Sequence, residues 1–188
     1  MTQEEGAYFL LSRCELLPWR GYVYCDRATA PNQGEILTVE PGTGNLHLVY
    51  DAGGRIVYAK SLDKGESWET GLEVDSGSYP SLCLDNSEMP SITYLRNDTV
   101  FCKTLKTDNT WHKTILFGGN GNLKPNQPVI AQTYPKDLSR YSYCAFLVKN
   151  LSEGSSKLYL STFNVEEDIG PEPEEVISGV SLKSHQSP

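Results

Sequence analysis

Five residues between positions 61 and 68 combine hydroxyl, carboxylate, glycine and indole groups at fixed spacing. They are Ser61, Asp63, Gly65, Ser67 and Trp68, in the pattern Ser-x-Asp-x-Gly-x-Ser-Trp. A carboxylate in this setting could accept hydrogen bonds from the backbone of its own turn, or it could serve as a catalytic acid. Glycine permits a positive φ, and an indole ring can pack a turn onto a sheet. The combination favours a structural turn over a catalytic role for Asp63.

The cysteines and histidines form no pattern typical of catalysis or metal binding. The three histidines are scattered, and the five cysteines contain no CxxC pair. Cys83, Cys102 and Cys144 fall within apolar strand patterns and are predicted to be small buried residues. Cys14 and Cys25 could pair across a hairpin, so the cysteine pairing stays open. We therefore predict no catalytic residue, no metal site and no cofactor.

A repeat surrounds the turn at 61–68. Residues 56–61 match residues 99–104, and residues 67–68 match residues 110–111, each 43 positions later. Further upstream, residues 46–50 resemble residues 90–94 with one additional position of shift. The repeated unit reads as strand, turn, strand, turn and tryptophan. A period in the low forties with about four strands is typical of a propeller blade.

The second copy of the turn is degenerate. It contains Thr104, Asp108, Thr110 and Trp111, but Lys106 stands where the first copy has its aspartate. This turn must therefore be held differently, by Asp108 or by its neighbour in the turn. The retained tryptophan indicates that ring packing matters more than the carboxylate, and both Trp68 and Trp111 are predicted to be buried.

A third copy of the repeat is looser and carries no such turn. Residues 127–131 resemble 79–83 and are predicted to form an innermost strand, followed by long strands at 141–148 and 157–163. Tyr141 and Tyr143 could form a sugar-stacking surface, although packing between blades is the favoured interpretation.

The pattern at 61–68 resembles the Asp box, or bacterial neuraminidase repeat, of the sialidase-like superfamily, with Ser67 in place of the usual threonine. The resemblance covers roughly residues 34–165 and is strongest over 44–111. It implies an all-β fold of sialidase-like β-propeller blades, in which the Asp box joins the third and fourth strands. We expect about three four-stranded antiparallel sheets, an incomplete propeller, since closed propellers have at least four blades.

The resemblance does not extend to catalytic residues. Sialidases of this superfamily use three arginines to hold the substrate carboxylate, a tyrosine activated by a glutamate as nucleophile, and an aspartate as acid and base. Their first arginine lies in an Arg-Ile-Pro motif. The nearest string here, Arg55-Ile56-Val57, opens a strand directly before the Asp box, which is the wrong place.

The charge is concentrated near the C-terminus. The formal net charge is −8, and residues 166–175 contribute six acidic side chains without a lysine or arginine. No basic stripe indicates nucleic-acid binding, and no apolar run approaches the roughly 20 residues of a membrane span. The sequence predicts an N-terminal segment at 1–33 with a strand of an earlier blade, Asp-box blades at 34–165, and an acidic Pro/Glu-rich tail or linker at 166–188.

These features predict a non-catalytic Asp-box module that serves as a binding or scaffold domain of an exported protein, extracellular or at the cell surface. Its ligand would be a glycan or a protein. The alternative is a fragment of a sialidase-type glycoside hydrolase whose catalytic residues lie partly outside this chain. The small number of blades is explained by a fragment, by two copies that associate to complete a ring, or by a smaller β-sandwich.

Overall fold

The structure, a computed structural model, describes residues 36–40, 42–85, 87–132, 141–164 and 168–177. The predicted N-terminal segment at 1–33, with its strand of an earlier blade, lies outside these residues. Cys14 and Cys25 lie outside them as well, so their pairing stays a prediction.

The described part of the chain contains twelve β-strands and no helix. In chain order they are β1 (Ile36–Val39), β2 (Leu46–Asp51), β3 (Arg55–Ser61), β4 (Leu72–Ser76), β5 (Ser78–Leu84), β6 (Pro90–Arg96), β7 (Thr99–Leu105), β8 (Trp111–Gly118), β9 (Leu123–Gln132), β10 (Tyr141–Asn150), β11 (Ser155–Asn164) and β12 (Glu174–Ile177).

The strands form three four-stranded antiparallel sheets, which we call blades 1, 2 and 3. Blade 1 contains β1 to β4, blade 2 contains β5 to β8, and blade 3 contains β9 to β12, each paired in chain order. The first strand of blade 2, β5, packs against the first strands of both neighbours. These first strands are therefore the inner strands. The prediction of an all-β, incomplete propeller with three four-stranded blades is confirmed.

Alternating side chains give blade 2 two different apolar faces. Along β7, Val100 and Cys102 are buried toward blade 3, whereas Phe101 packs toward blade 1. This follows from the two-residue period of a strand, which sends successive side chains to opposite faces. Blade 2 is therefore covered on both sides and separates two cores.

Each core lies between two adjacent blades. The core between blades 1 and 2 consists of Val49, Ile56, Tyr58, Val74, Leu82, Ile92 and Tyr94. The core between blades 2 and 3 consists of Leu95, Val100, Cys102, Leu116, Ile130, Cys144, Phe146, Val148 and Phe163. Cys102 and Cys144 are buried, as predicted, and Cys83 is half-buried.

The structure corrects the register of the repeat between blades 1 and 2. A shift of 43 residues would make Tyr58 equivalent to Phe101, yet both rings pack in the same core from opposite sides. A shift of 44 aligns Tyr58 with Cys102, and it aligns the cross-strand pair Val49–Tyr58 with Thr93–Cys102. A one-residue slip reverses the facing of every side chain, so only the 44-residue shift preserves the blade.

The segment predicted as a tail or linker contributes a strand. Residues Glu174–Ile177 form β12, which pairs with β11 and completes blade 3. All four of its residues are exposed, and their sequence, Glu-Glu-Val-Ile, does not alternate between polar and apolar residues. The sequence pattern therefore did not indicate a strand. Just before it, the backbone at Asp168–Gly170 bonds to Ile115 at the edge of β8.

Candidate functional site

The turn at residues 61–68, whose sequence resembles an Asp box, is closed by hydrogen bonds between β3 and β4. Asp63 Oδ1 accepts bonds from Ser61 Oγ and from the Ser67 backbone N–H, both at 2.8 Å. The Ser67 hydroxyl donates to Asp63 Oδ2 at 2.5 Å, and the Gly65 N–H donates to Ser61 Oγ at 2.8 Å. Gly65 has a φ of +95°, a conformation that favours glycine. The bonds from Ser67 and Ser61 lower the pKa of Asp63 to about 2. Asp63 therefore acts as an acceptor that has no proton to donate at neutral pH.

The second turn, between β7 and β8, is shorter and is held by a different carboxylate. Asp108 accepts bonds from the Thr110 N–H at 3.0 Å and from the Thr110 hydroxyl at 2.6 Å. These bonds lower the pKa of Asp108. Asn109 has a φ of +63°. Thr104 takes no part in this turn, because its hydroxyl lies 2.9 Å from the Ser91 hydroxyl inside blade 2.

Both tryptophans of the two turns are half-buried, whereas the sequence predicted buried rings. The Trp111 ring meets Tyr58 of blade 1 edge to face, with ring centroids 5.6 Å apart. The indole N–H groups of Trp68 and Trp111 have no hydrogen-bond partner within the described residues. The accessible part of Trp111 faces the gap between the two turns, because the ring lines a cavity there.

This interblade cavity has a volume of about 200 Å³ and lies between blades 1 and 2, bordered by both turns. Its wall combines two aromatic rings with aliphatic, charged and amide side chains. The lining residues are Tyr58, Ala59, Lys60, Glu69, Thr70, Leu72, Leu105, Asn109 and Trp111. Aromatic surfaces with a few polar groups at the rim are typical of sites for small polar ligands.

A buried chain of polar groups supports the cavity from behind. The Tyr58 hydroxyl lies 2.6 Å from His47 Nδ1, and His47 Nε2 lies 2.7 Å from Glu40 Oε1. His47 and Glu40 are 1% and 3% exposed, so these bonds form out of contact with water. Burial lowers the pKa of His47, which outweighs the opposite effect of its bond to Glu40. The neutral ring therefore donates from Nε2 to the carboxylate and accepts the Tyr58 proton at Nδ1.

The Glu40 carboxylate accepts hydrogen bonds from three further side chains in addition to His47. Lys60 Nζ donates to Oε1 at 2.7 Å, Asn45 donates to Oε2 at 2.7 Å, and the Thr43 hydroxyl also donates to Oε2. Burial raises the pKa of Glu40, but the bonds from Lys60, Thr43, His47 and Asn45 outweigh it and lower the pKa to about 2. Burial, with repulsion from Glu69 and Glu40, raises the pKa of Tyr58. The arrangement holds a protonated phenol at the cavity wall.

A second charged cluster joins blade 1 to blade 2 around Asp75. Its carboxylate accepts bonds from the Tyr94 hydroxyl at 2.6 Å, from Arg96 at 2.9 Å and from Lys113 at 3.0 Å, and Lys103 lies 3.5 Å away. Burial raises the pKa of Asp75, but bonds from Tyr94 and Lys113 and the nearby lysine lower it far below its usual range. This saturated carboxylate is a clamp between blades. Among the described residues no group of three or more His, Cys, Asp or Glu could hold a metal ion.

Sequence reasoning located both turns but missed the two charged networks. Glu40 and His47 come from β-strand ends that are distant in sequence from Lys60, and Asp75 binds partners on three strands of another blade. One signal was available, since His47 interrupts the apolar stretch of β2. A polar residue inside a buried strand normally has a hydrogen-bond partner.

The fold resembles that of solved glycoside hydrolases. An engineered GH43 glycoside hydrolase, described as displaying endo-xylanase and exo-arabinofuranosidase activity, aligns with a TM-score of 0.52 and 15% identity over 79% of this chain and 29% of its own. An endo-1,4-β-xylanase from Bacteroides thetaiotaomicron aligns with a TM-score of 0.51 and 12% identity over 79% of this chain and 54% of its own. At such identity the likeness concerns the fold.

The comparisons by sequence give no further relative. No protein-family model matches the sequence, and no curated protein matches it. The chain spans less than two thirds of the length of the solved structures it resembles. In the described part, no helix is long and apolar enough to cross a membrane.

Proposed function

We propose that this chain is a non-catalytic Asp-box propeller module that binds carbohydrate, as part of an exported protein at the cell surface or outside the cell. The observation that carries the proposal is the interblade cavity, where Tyr58 and Trp111 stand beside Lys60, Glu69 and Asn109. Aromatic rings pack against the apolar faces of sugars, while charged and amide groups exchange hydrogen bonds with hydroxyls. The turn at 61–68 has a structural role in this proposal, because Lys60 and Glu69, which line the cavity, lie directly before and after it.

The ionisation of the carboxylates supports a binding role over hydrolysis. Glycoside hydrolysis requires a pair of carboxyl groups, one of which is kept protonated by a raised pKa. Glu40, Asp63 and Asp75 all have lowered pKa values and are held by hydrogen bonds. Glu69 lines the cavity without a second carboxyl group among its lining residues.

The alternative is a fragment of a glycoside hydrolase, of sialidase type or another type. It is favoured by the names of the fold neighbours, which are hydrolases, and by the partial coverage of their length. In that case the catalytic carboxyl groups would lie partly outside the residues described here.

A blocking substitution tests the proposed site. Thr70 is exposed and lines the cavity, so Thr70→Trp should fill the cavity without disturbing a core. A glycan array first identifies the glycans that the wild-type chain binds. For these glycans we expect Thr70→Trp to lower the affinity at least tenfold. Glu66→Trp is the matched control, because Glu66 is exposed on the same turn but does not line the cavity. Equal glycan affinity of the two variants would exclude the cavity as the binding site. In a separate activity assay, release of sugar from sialosides or xylo-oligosaccharides by the wild-type chain would favour the hydrolase.

The outward face of blade 3 supports a further proposal, self-association. This face presents Tyr143, Leu147, Leu158 and Leu160 half-buried, and Val129 is 57% exposed. Two copies could pack these faces together as two sheets of a sandwich. We expect light scattering after size-exclusion chromatography to give the mass of a dimer, and Leu158→Lys to return the monomer. A wild-type chain that stays monomeric at high concentration would contradict this.

A further inference from the structure

We propose that the interblade cavity selects uncharged and cationic sugars over anionic ones, and that Glu69 determines this specificity. The proposal deepens the carbohydrate-binding function and rests on it. It concerns the charge of the ligand, about which the fold neighbours give no information. The proposal rests on the charged side chains that line the cavity.

Only two of the lining residues of the cavity are charged, Lys60 and Glu69. The Lys60 ammonium lies 2.7 Å from Glu40, so its positive charge is already compensated by a buried carboxylate. No hydrogen bond or ion pair with a described residue engages the Glu69 side chain, which is exposed. The cavity therefore carries one uncompensated negative charge.

The Glu69 charge acts on the groups inside the cavity. Glu69 and Tyr58 line the same cavity, and the Glu69 charge adds to burial in raising the pKa of Tyr58, as expected of a carboxylate close to the aromatic wall. A ligand carboxylate placed on that wall would meet the same repulsion, because like charges at short range in a partly buried site repel strongly. A ligand hydroxyl or ammonium would instead donate a hydrogen bond to Glu69.

The aromatic rings reinforce this preference. The faces of Tyr58 and Trp111 carry negative electrostatic potential and attract cations and polarised C–H groups. No cluster of cations lines the cavity to offset this, since Arg96, Lys103 and Lys113 lie around Asp75 and outside the lining. The site therefore differs in charge from one built to hold an acidic sugar.

Three sugars of one ring type test the preference. Methyl glucoside, glucosamine and methyl glucuronide present a neutral, a cationic and an anionic form, and their dissociation constants can be measured by ligand-observed NMR. For the wild-type chain we expect the glucuronide to bind at least tenfold more weakly than the other two. For Glu69→Gln we expect that gap to shrink to about threefold or less, because the repulsive charge is removed while a polar side chain remains.

Glu66→Gln is the matched control, since it removes the same charge from the same turn away from the cavity, and its discrimination should equal that of the wild-type chain. Salt provides a second readout, because the discrimination should fall in 1 M NaCl, where charges are screened within about 3 Å. Equal wild-type binding of the glucuronide, or the same change in both variants, would overturn the role of Glu69. Binding of none of the three sugars would instead remove the carbohydrate-binding function, and the specificity with it.

Discussion

Replacement of Phe146 by alanine is expected to lower the free energy of unfolding by about 4 kcal/mol. Phe146 is 1% exposed and lies in the core between blades 2 and 3. Its ring packs against Phe117 at 5.4 Å and Tyr159 at 6.2 Å between centroids, so its removal leaves a cavity that the strands of two blades cannot close. Urea unfolding followed by circular dichroism would measure the loss.

The adjacent residue provides the control for this substitution. Leu147 lies on the opposite face of β10 and is half-buried on the outward side of blade 3. At a protein concentration low enough for the chain to be monomeric, Leu147→Ala should cost only about 1 kcal/mol, since its side chain is partly exposed in the folded monomer. If both substitutions cost the same, the orientation of blade 3 described here would be wrong.

Replacement of Glu40 by alanine is expected to destabilise the chain by about 3 kcal/mol at pH 7, because it leaves the buried His47 and the half-buried Lys60 without their shared acceptor. Lys60 and His47 both bond to Glu40 Oε1, and His47 is 1% exposed. Glu40→Gln keeps an acceptor while removing the charge, so it should cost clearly less. A Glu40→Ala chain as stable as the wild type in urea would show that the network is not formed in solution.

The dependence of this effect on pH has a defined sign. The pKa of Glu40 is lowered to about 2 in the folded chain, below the value of about 4.3 for an unperturbed glutamate. The stability contributed by ionised Glu40 is therefore complete above the unfolded pKa and is lost as the pH falls through the folded one. Between about pH 4.5 and pH 2 the wild-type chain should lose stability more steeply than Glu40→Ala, in proportion to the proton uptake of this one group.

The sequence was sufficient for the architecture because its signals are local. Alternating side chains indicated the strands, and the residues of the turn at 61–68 are close enough in the chain for their hydrogen bonds to be anticipated. Asp63 and Gly65 illustrate this, since the acceptor role of one and the positive φ of the other follow from their residue types. The degenerate turn was anticipated as one held by Asp108 or Asn109, and Asp108 is the residue that accepts its hydrogen bonds.

The remaining features depend on distant contacts. Glu40 forms an ion pair with Lys60 across a sheet, and Asp75 accepts a hydrogen bond from Tyr94 of the neighbouring blade. Neither pairing has a signature in sequence spacing. The register of the repeat was misjudged by one residue because residues 56–61 and 99–104 are similar in type at a shift of 43. The same shift also matches Ser67-Trp68 with Thr110-Trp111, although these pairs follow turns of different length. β12 was missed because strand pairing through the backbone alone leaves no apolar pattern.

The clamp at Asp75 makes the two junctions between blades chemically unequal. Blade 1 is joined to blade 2 by an apolar core with a cluster of one carboxylate and three cations beside it, whereas blades 2 and 3 meet through an apolar core with one exposed ion pair, Asp98–Lys124. In an array of repeats, stability is approximately a sum of nearest-neighbour couplings. Salt screens the charges at both junctions but has more of them to screen at the first, while salts that are excluded from protein surfaces strengthen both apolar cores. The strength of each coupling therefore depends on the ions in solution as well as on the sequence, and a change of salt shifts the balance between separation of blade 1 and separation of blade 3 from blade 2.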